Sequence, residues 1–67
     1  MLKKKSITIK KHRTSLSLEK EFWDALKIIA TEQNCSMEKL VTKIDSNRKN
    51  SLASSIRVYL LKFYMKD

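Results

Sequence analysis

The side chains with chemical reach crowd the start of this 67-residue chain. Residues 1–13 carry Lys3, Lys4, Lys5, Lys10, Lys11 and Arg13 and no acid, while residues 14–67 carry nine basic and seven acidic groups. The net charge of +8 is therefore a local feature. A block of this kind attracts phosphate polyanions or an anionic membrane surface. Directly after it, Arg13, Ser15 and Ser17 alternate with Thr14, Leu16 and Leu18. A period of two marks a strand with one open and one buried face. The open face holds a guanidinium, which donates hydrogen bonds, and two hydroxyls, which donate or accept them.

Catalytic and metal chemistry lack the residues they need. His12 and Cys35 are the lone histidine and cysteine, and there is no glycine. A closed zinc site wants four ligands, and no nucleophile–base–acid set or glycine-rich loop can be assembled. The expectation is a protein that is not an enzyme and uses no metal or cofactor. His12 reads as a surface or phosphate-facing side chain. Cys35 reads as a small residue tolerated in a turn, and it points to a reducing compartment. No apolar run approaches the roughly 20 residues that span a bilayer. Met1–Lys5 begins like a signal peptide, but Ser6-Ile7-Thr8-Ile9 is followed by more lysine, so no apolar core follows it. A soluble, cytoplasmic protein that makes no use of a membrane is expected.

The elements that position these groups follow from periodicity. A basic N-terminal arm over 1–11, partly disordered, precedes a strand at 12–18. Ser6-Ile7-Thr8-Ile9 is β-prone, but Ile7 and Ile9 are odd-numbered whereas Leu16 and Leu18 are even. Either the chain bends or bulges near Lys10-Lys11-His12, or residues 6–9 form a separate extended arm, which is the preferred reading. Lys-Lys lacks the residues that tight hairpins favour. Helices are expected at about 20–33, 37–46 and 52–65. Phe22, Leu26, Ile29 and Ala30 form the stripe of the first, with Trp23 at its edge and Ser17 or Glu19 as cap. Asn34 is the left-handed stop and Ser36 the cap of the second helix, whose stripe is Met37, Leu40, Val41 and Ile44. Asn50 or Ser51 caps the third, with the stripe Leu52, Ile56, Tyr59, Leu60 and Phe63. Val58, Leu61 and Tyr64 fall off that stripe. One short strand cannot satisfy its own backbone, and with one cysteine a chain this small leans on oligomerisation. A second copy is the simplest partner for the strand.

Arg13-Thr14-Ser15-Leu16-Ser17-Leu18-Glu19 running into Phe22-Trp23-Leu26, with the turn Asn34-Cys35-Ser36, resembles the ribbon-helix-helix family of bacterial DNA-binding proteins. Ser51-Leu52-Ala53-Ser54-Ser55-Ile56-Arg57-Val58-Tyr59 resembles the C-terminal block of a longer subgroup with a third helix. The resemblance spans about residues 4–64. Lys20 stands where proline is common, Asn34 where glycine is usual, and Lys10-Lys11 replaces a small, often glycine-containing pair. The resemblance implies a mainly α fold with one short β-strand. It also implies an intertwined homodimer whose two strands make an antiparallel intermolecular ribbon, with an additional C-terminal helix.

The same resemblance implies double-stranded DNA as partner and a transcriptional repressor as role, with the ribbon in the major groove. Arg13, Ser15 and Ser17 would read bases. Lys10, Lys11 and His12 would meet phosphates, as would the backbone at Ser36 and Met37. Leu16, Leu18, Trp23, Leu40, Val41 and Ile44 would form the dimer core. Dimers would also be able to associate further on DNA. The alternative is an antitoxin-like interaction module of the same fold that binds a protein through the C-terminal helix.

Overall fold

The parity of four apolar residues decides the architecture. The computed structural model describes residues 2–66. It contains β1 (Leu2–Ile9), β2 (His12–Glu19), α1 (Lys20–Glu32), α2 (Met37–Ser46) and α3 (Leu52–Met65). β1 and β2 form a two-stranded antiparallel sheet within the chain. The expected arm over 1–11 is thus corrected: residues 2–9 are a strand, and the fold has two strands rather than one. Met1, at the start of that arm, and Asp67 lie outside the described residues.

The register runs from Ile9↔His12 at the turn to Leu2↔Glu19 at the open end. Every odd residue of β1 therefore sits opposite an even residue of β2. Partners across a ladder share a face, so Ile7 and Ile9 bury on the same side as Leu16 and Leu18. The phase mismatch that argues against one continuous strand is what a two-residue turn requires. Lys10 (φ 51°) and Lys11 (φ 69°) both adopt the left-handed conformation of such a turn. That conformation costs L-residues other than glycine roughly 1–2 kcal/mol each. Burial of two isoleucines, at about 1.5–3 kcal/mol per side chain, outweighs it.

The helix ends are set by local chemistry. Asn34 takes the left-handed stop after α1 (φ 55°). The Cys35 N–H returns to the Ala30 carbonyl at 3.0 Å, and the Asn34 N–H to Thr31 at 3.1 Å. This is the paired closure that satisfies orphan carbonyls at a helix end. Ser36 Oγ accepts from the Lys39 N–H at 3.0 Å, and Ser51 Oγ accepts from Ser54 at 3.2 Å. Ser51 rather than Asn50 therefore caps α3. Glu19 occupies the cap position of α1, but its side chain makes no cap bond there.

One core joins all five elements. Ile7, Ile9, Leu16 and Leu18 of the hairpin meet Trp23, Leu26, Ile29 and Ala30 of α1, Leu40, Val41 and Ile44 of α2, and Ile56 and Leu60 of α3. Trp23 is buried and Phe22 half-buried, the reverse of the expected order on α1. No polar or charged residue is buried among those described. The residues expected to form a core between two chains are covered here by one. β1 supplies in cis the strand that was expected to come from a second copy.

Candidate nucleic-acid interface

Register sorts the hairpin into two faces. Ile7, Ile9, Leu16 and Leu18 turn to the helices, so the opposite parity turns away from them. That outer face pairs Thr8 with Arg13, Ser6 with Ser15 and Lys4 with Ser17. Arg13, Ser15, Ser6 and Lys4 are exposed, and Ser17 and Thr8 half-buried. The three expected base readers thus stand in one row, and a second row from β1 stands beside it. Lys4, Ser6 and Thr8 are not among the expected site residues, because an arm was expected where their strand lies. The parity of Ile7 and Ile9 is the signal that could have placed them.

The turn sets Lys10 and Lys11, both exposed, at the tip of the hairpin. His12 is exposed too, but register places it opposite Ile9, on the side turned to the helices and away from Arg13. Lys3 and Lys5 also belong to that side. Lys5 Nζ lies 5.0 Å from the centre of the Trp23 ring, close enough for cation–π attraction. Trp23 Nε1 donates to the Lys3 carbonyl at 2.9 Å. The basic block is therefore divided: Lys4 and Arg13 on the outer face, Lys10 and Lys11 at the tip, Lys3 and Lys5 against α1.

Two contacts fix this ribbon to the helices. In a hairpin with a two-residue turn the flanking pair is hydrogen-bonded and alternate pairs are not. The Thr8 N–H accordingly points out of the ladder, and it donates to Glu38 Oε2 in the first turn of α2 at 3.1 Å. At the other end, Arg57 of α3 donates through Nε and Nη2 to Glu19 Oε1 at 3.1 and 2.9 Å. Arg57 also lies 5.7 Å from the Phe22 ring centre. Backbone hydrogen bonding, then the hydrogen bond from Arg57, holds the Glu19 carboxyl below its ordinary value.

The start of α2 is the second expected phosphate contact. Ser36 is exposed and Met37 half-buried against the core. Ser36 Oγ is engaged as the cap, and the Glu38 carboxylate already lies in this turn. The bond from Thr8 to Glu38 places this helix end beside the turn-proximal part of β1.

Among the described residues, no group of three His, Cys, Asp or Glu side chains is placed to hold a metal ion. No helix described is long and apolar enough to cross a membrane.

The family model described as "Ribbon-helix-helix domain" matches residues 2–64. No curated protein and no solved structure matches the chain.

Proposed function

From the premise that this chain belongs to the ribbon-helix-helix family, we propose a sequence-specific DNA-binding protein, without catalytic activity, that represses transcription. The family is one of DNA-binding transcription regulators in general. The observation that carries the finer reading is the outer face of the hairpin. Between the Leu2–Glu19 pair at its open end and the two-residue tip, it bears Lys4, Ser6, Thr8, Arg13, Ser15 and Ser17. Every one of these can hydrogen-bond, none is acidic, and the tip adds two lysines.

Dimensions support the docking. The major groove is about 12 Å wide and admits a two-stranded ribbon. Strands in such a ribbon lie about 4.8 Å apart and rise about 3.3 Å per residue. One hairpin of this chain is already that unit. Adding a partner's strands at the open edge of β2 would widen the sheet beyond the groove. In this reading the homodimer therefore brings two complete ribbons to two half-sites, in place of one ribbon with a strand from each chain. Arg13 bridges the two acceptors of a guanine, and Ser15 and Ser17 make less discriminating contacts. Lys10 and Lys11 face phosphates, whereas His12, expected among them, lies on the side turned to the helices. The N–H groups near Ser36 and Met37 add a contact of the helix-terminus kind. The setting is the bacterial cytoplasm.

Selection of random duplexes against the purified chain at physiological salt tests this. The expected result is enrichment of a short motif, repeated in two half-sites. Arg13→Ala should lose about 1–3 kcal/mol and relax one base position, whereas Lys10→Ala should weaken all sequences alike. Enrichment without a motif, or uniform loss on Arg13→Ala, refutes base reading.

A further inference from the structure

The two strands of the hairpin carry the same chemistry in the same order. In antiparallel pairing a local two-fold axis stands perpendicular to the sheet between two residues that face each other across the ladder. Placed between Ser6 and Ser15, it carries β1 onto β2. On the outer face Lys4 then falls on Arg13, Ser6 on Ser15 and Thr8 on Ser17. On the inner face Ile7 falls on Leu16 and Ile9 on Leu18. Lys4-Lys5-Ser6-Ile7-Thr8-Ile9 and Arg13-Thr14-Ser15-Leu16-Ser17-Leu18 thus share one order: cation, variable residue, serine, aliphatic, hydroxyl, aliphatic. Burying one face demands only the aliphatic residues. It does not demand a cation, a serine and a second hydroxyl at matching places on both strands. The match stops one residue beyond, where Lys10 stands after Ile9 but Glu19, held by Arg57, stands after Leu18.

We infer that the hairpin of a single chain is a complete two-fold reading head: Lys4, Ser6 and Thr8 read one half of a short, nearly palindromic site, and Arg13, Ser15 and Ser17 read the other. The inference rests on the proposed DNA reading and deepens it. It gives β1 a share of recognition equal to that of β2, and it makes each half-site a small palindrome in its own right. A two-fold axis of the protein that enters the groove is mirrored by palindromy in the DNA. Lysine, like arginine, pairs with guanine O6 and N7, so each half holds one guanine, on opposite DNA strands. The Lys4–Ser17 and Thr8–Arg13 pairs lie four residues apart along the ribbon, about 13 Å. With strands about 4.8 Å apart, the diagonal from Lys4 to Arg13 is about 14 Å. That is about four base-pair steps of 3.4 Å. The symmetry is broken in detail. The Arg13 fork engages both acceptors while the Lys4 ammonium is a point charge, so the Arg13 end discriminates more strongly. Thr8 has a methyl that can meet a thymine methyl, which Ser17 lacks.

Duplex selection on the full chain and on variants at the two cations decides the matter. Lys4 and Arg13 are exposed, so circular dichroism should match the wild type for every variant. The wild type should enrich a half-site with a guanine toward each end. Lys4→Ala and Arg13→Ala should each leave a one-ended motif, with guanine preference at the lost end reduced about fivefold or more. The double variant should lose both ends. Lys4→Arg should keep both ends and sharpen the weaker one. Two results overturn the inference while leaving DNA reading intact. In one, Lys4→Ala weakens every sequence alike and the motif survives whole, which makes Lys4 a phosphate contact. In the other, Arg13→Ala alone removes both guanines, the mark of a ribbon built from one β2 of each of two chains. A wild type that enriches no motif refutes base reading itself, and this inference with it.

Discussion

Replacing Lys10-Lys11 by Asn-Gly tests the hairpin and its chemistry together. Both lysines hold positive φ, 51° and 69°. The left-handed conformation costs an ordinary L-residue roughly 1–2 kcal/mol. Asn tolerates it, and Gly removes the Cβ clash while losing about 0.5–1 kcal/mol more chain entropy on folding. The net expectation is a gain of about 1–2 kcal/mol for the pair. Against a total stability of roughly 3–10 kcal/mol for a chain this long, that is a large fraction. A gain of this size should raise the melting temperature by roughly 5–15 °C. The charge change needs its own control, which is Lys10→Gln with Lys11→Gln. That pair removes the same two cations and keeps the backbone preference. Thermal unfolding by circular dichroism should show Asn-Gly well above wild type and Gln-Gln close to it. DNA binding titrated against salt should show the opposite grouping. Both variants should lose up to about two units of the logarithmic salt slope, since each phosphate contact contributes about 0.9. If Asn-Gly is no more stable than Gln-Gln, residues 10 and 11 are not in a left-handed turn, and residues 2–9 are an arm after all.

Other consequences rest on the contacts at either end of the ribbon and in the core. Glu19 has a folded pKa below the ordinary 4.5, set first by backbone hydrogen bonding and then by Arg57. Its contribution is present above 4.5 and is lost as pH falls through the folded value. Glu19→Gln should lower the melting temperature near neutral pH and match wild type in acid; a constant gap at every pH would refute the assignment. Leu18 is fully buried, so Leu18→Ala should cost about 2–5 kcal/mol and leave little or no cooperative thermal transition. Trp23→Phe removes the donor to the Lys3 carbonyl. It should speed amide exchange at the open end of the hairpin while leaving the turn-proximal amides protected.

The helices were legible because their signals are local. Ser36 caps, Asn34 stops and the apolar stripes repeat within a few residues, so each boundary is written beside the element it bounds. The observed α2 and α3 span the stretches expected of them, and α1 ends at Glu32, one residue inside its expected bound. The hairpin was missed, because the signal that carries it is of a different kind. Turn preference argues against Lys-Lys, and that preference is worth only a few kcal/mol. Two odd isoleucines and two even leucines on either side of a two-residue gap make a stronger statement. Opposed parity across an even gap is satisfied by a reversal of the chain and by no straight strand. Where turn chemistry and burial disagree, burying the apolar side chains contributes more free energy, and burial prevails here.

The same precedence of burial over turn preference changes what the ribbon requires. A lone strand carrying Arg13, Ser15 and Ser17 needs a partner before it can hold its shape, and without β1 that partner would have to be a second chain. With β1 in place, the strand's inner edge is paired, its apolar side is covered, and its far end is tied to α3 through Glu19 and Arg57. Dimerisation is then no longer a condition of folding the ribbon. Arg13 and Ser15, exposed on the outer face of that ribbon, are the residues on which DNA recognition should depend, and replacing them with alanine should weaken binding while leaving the melting temperature close to that of the wild type.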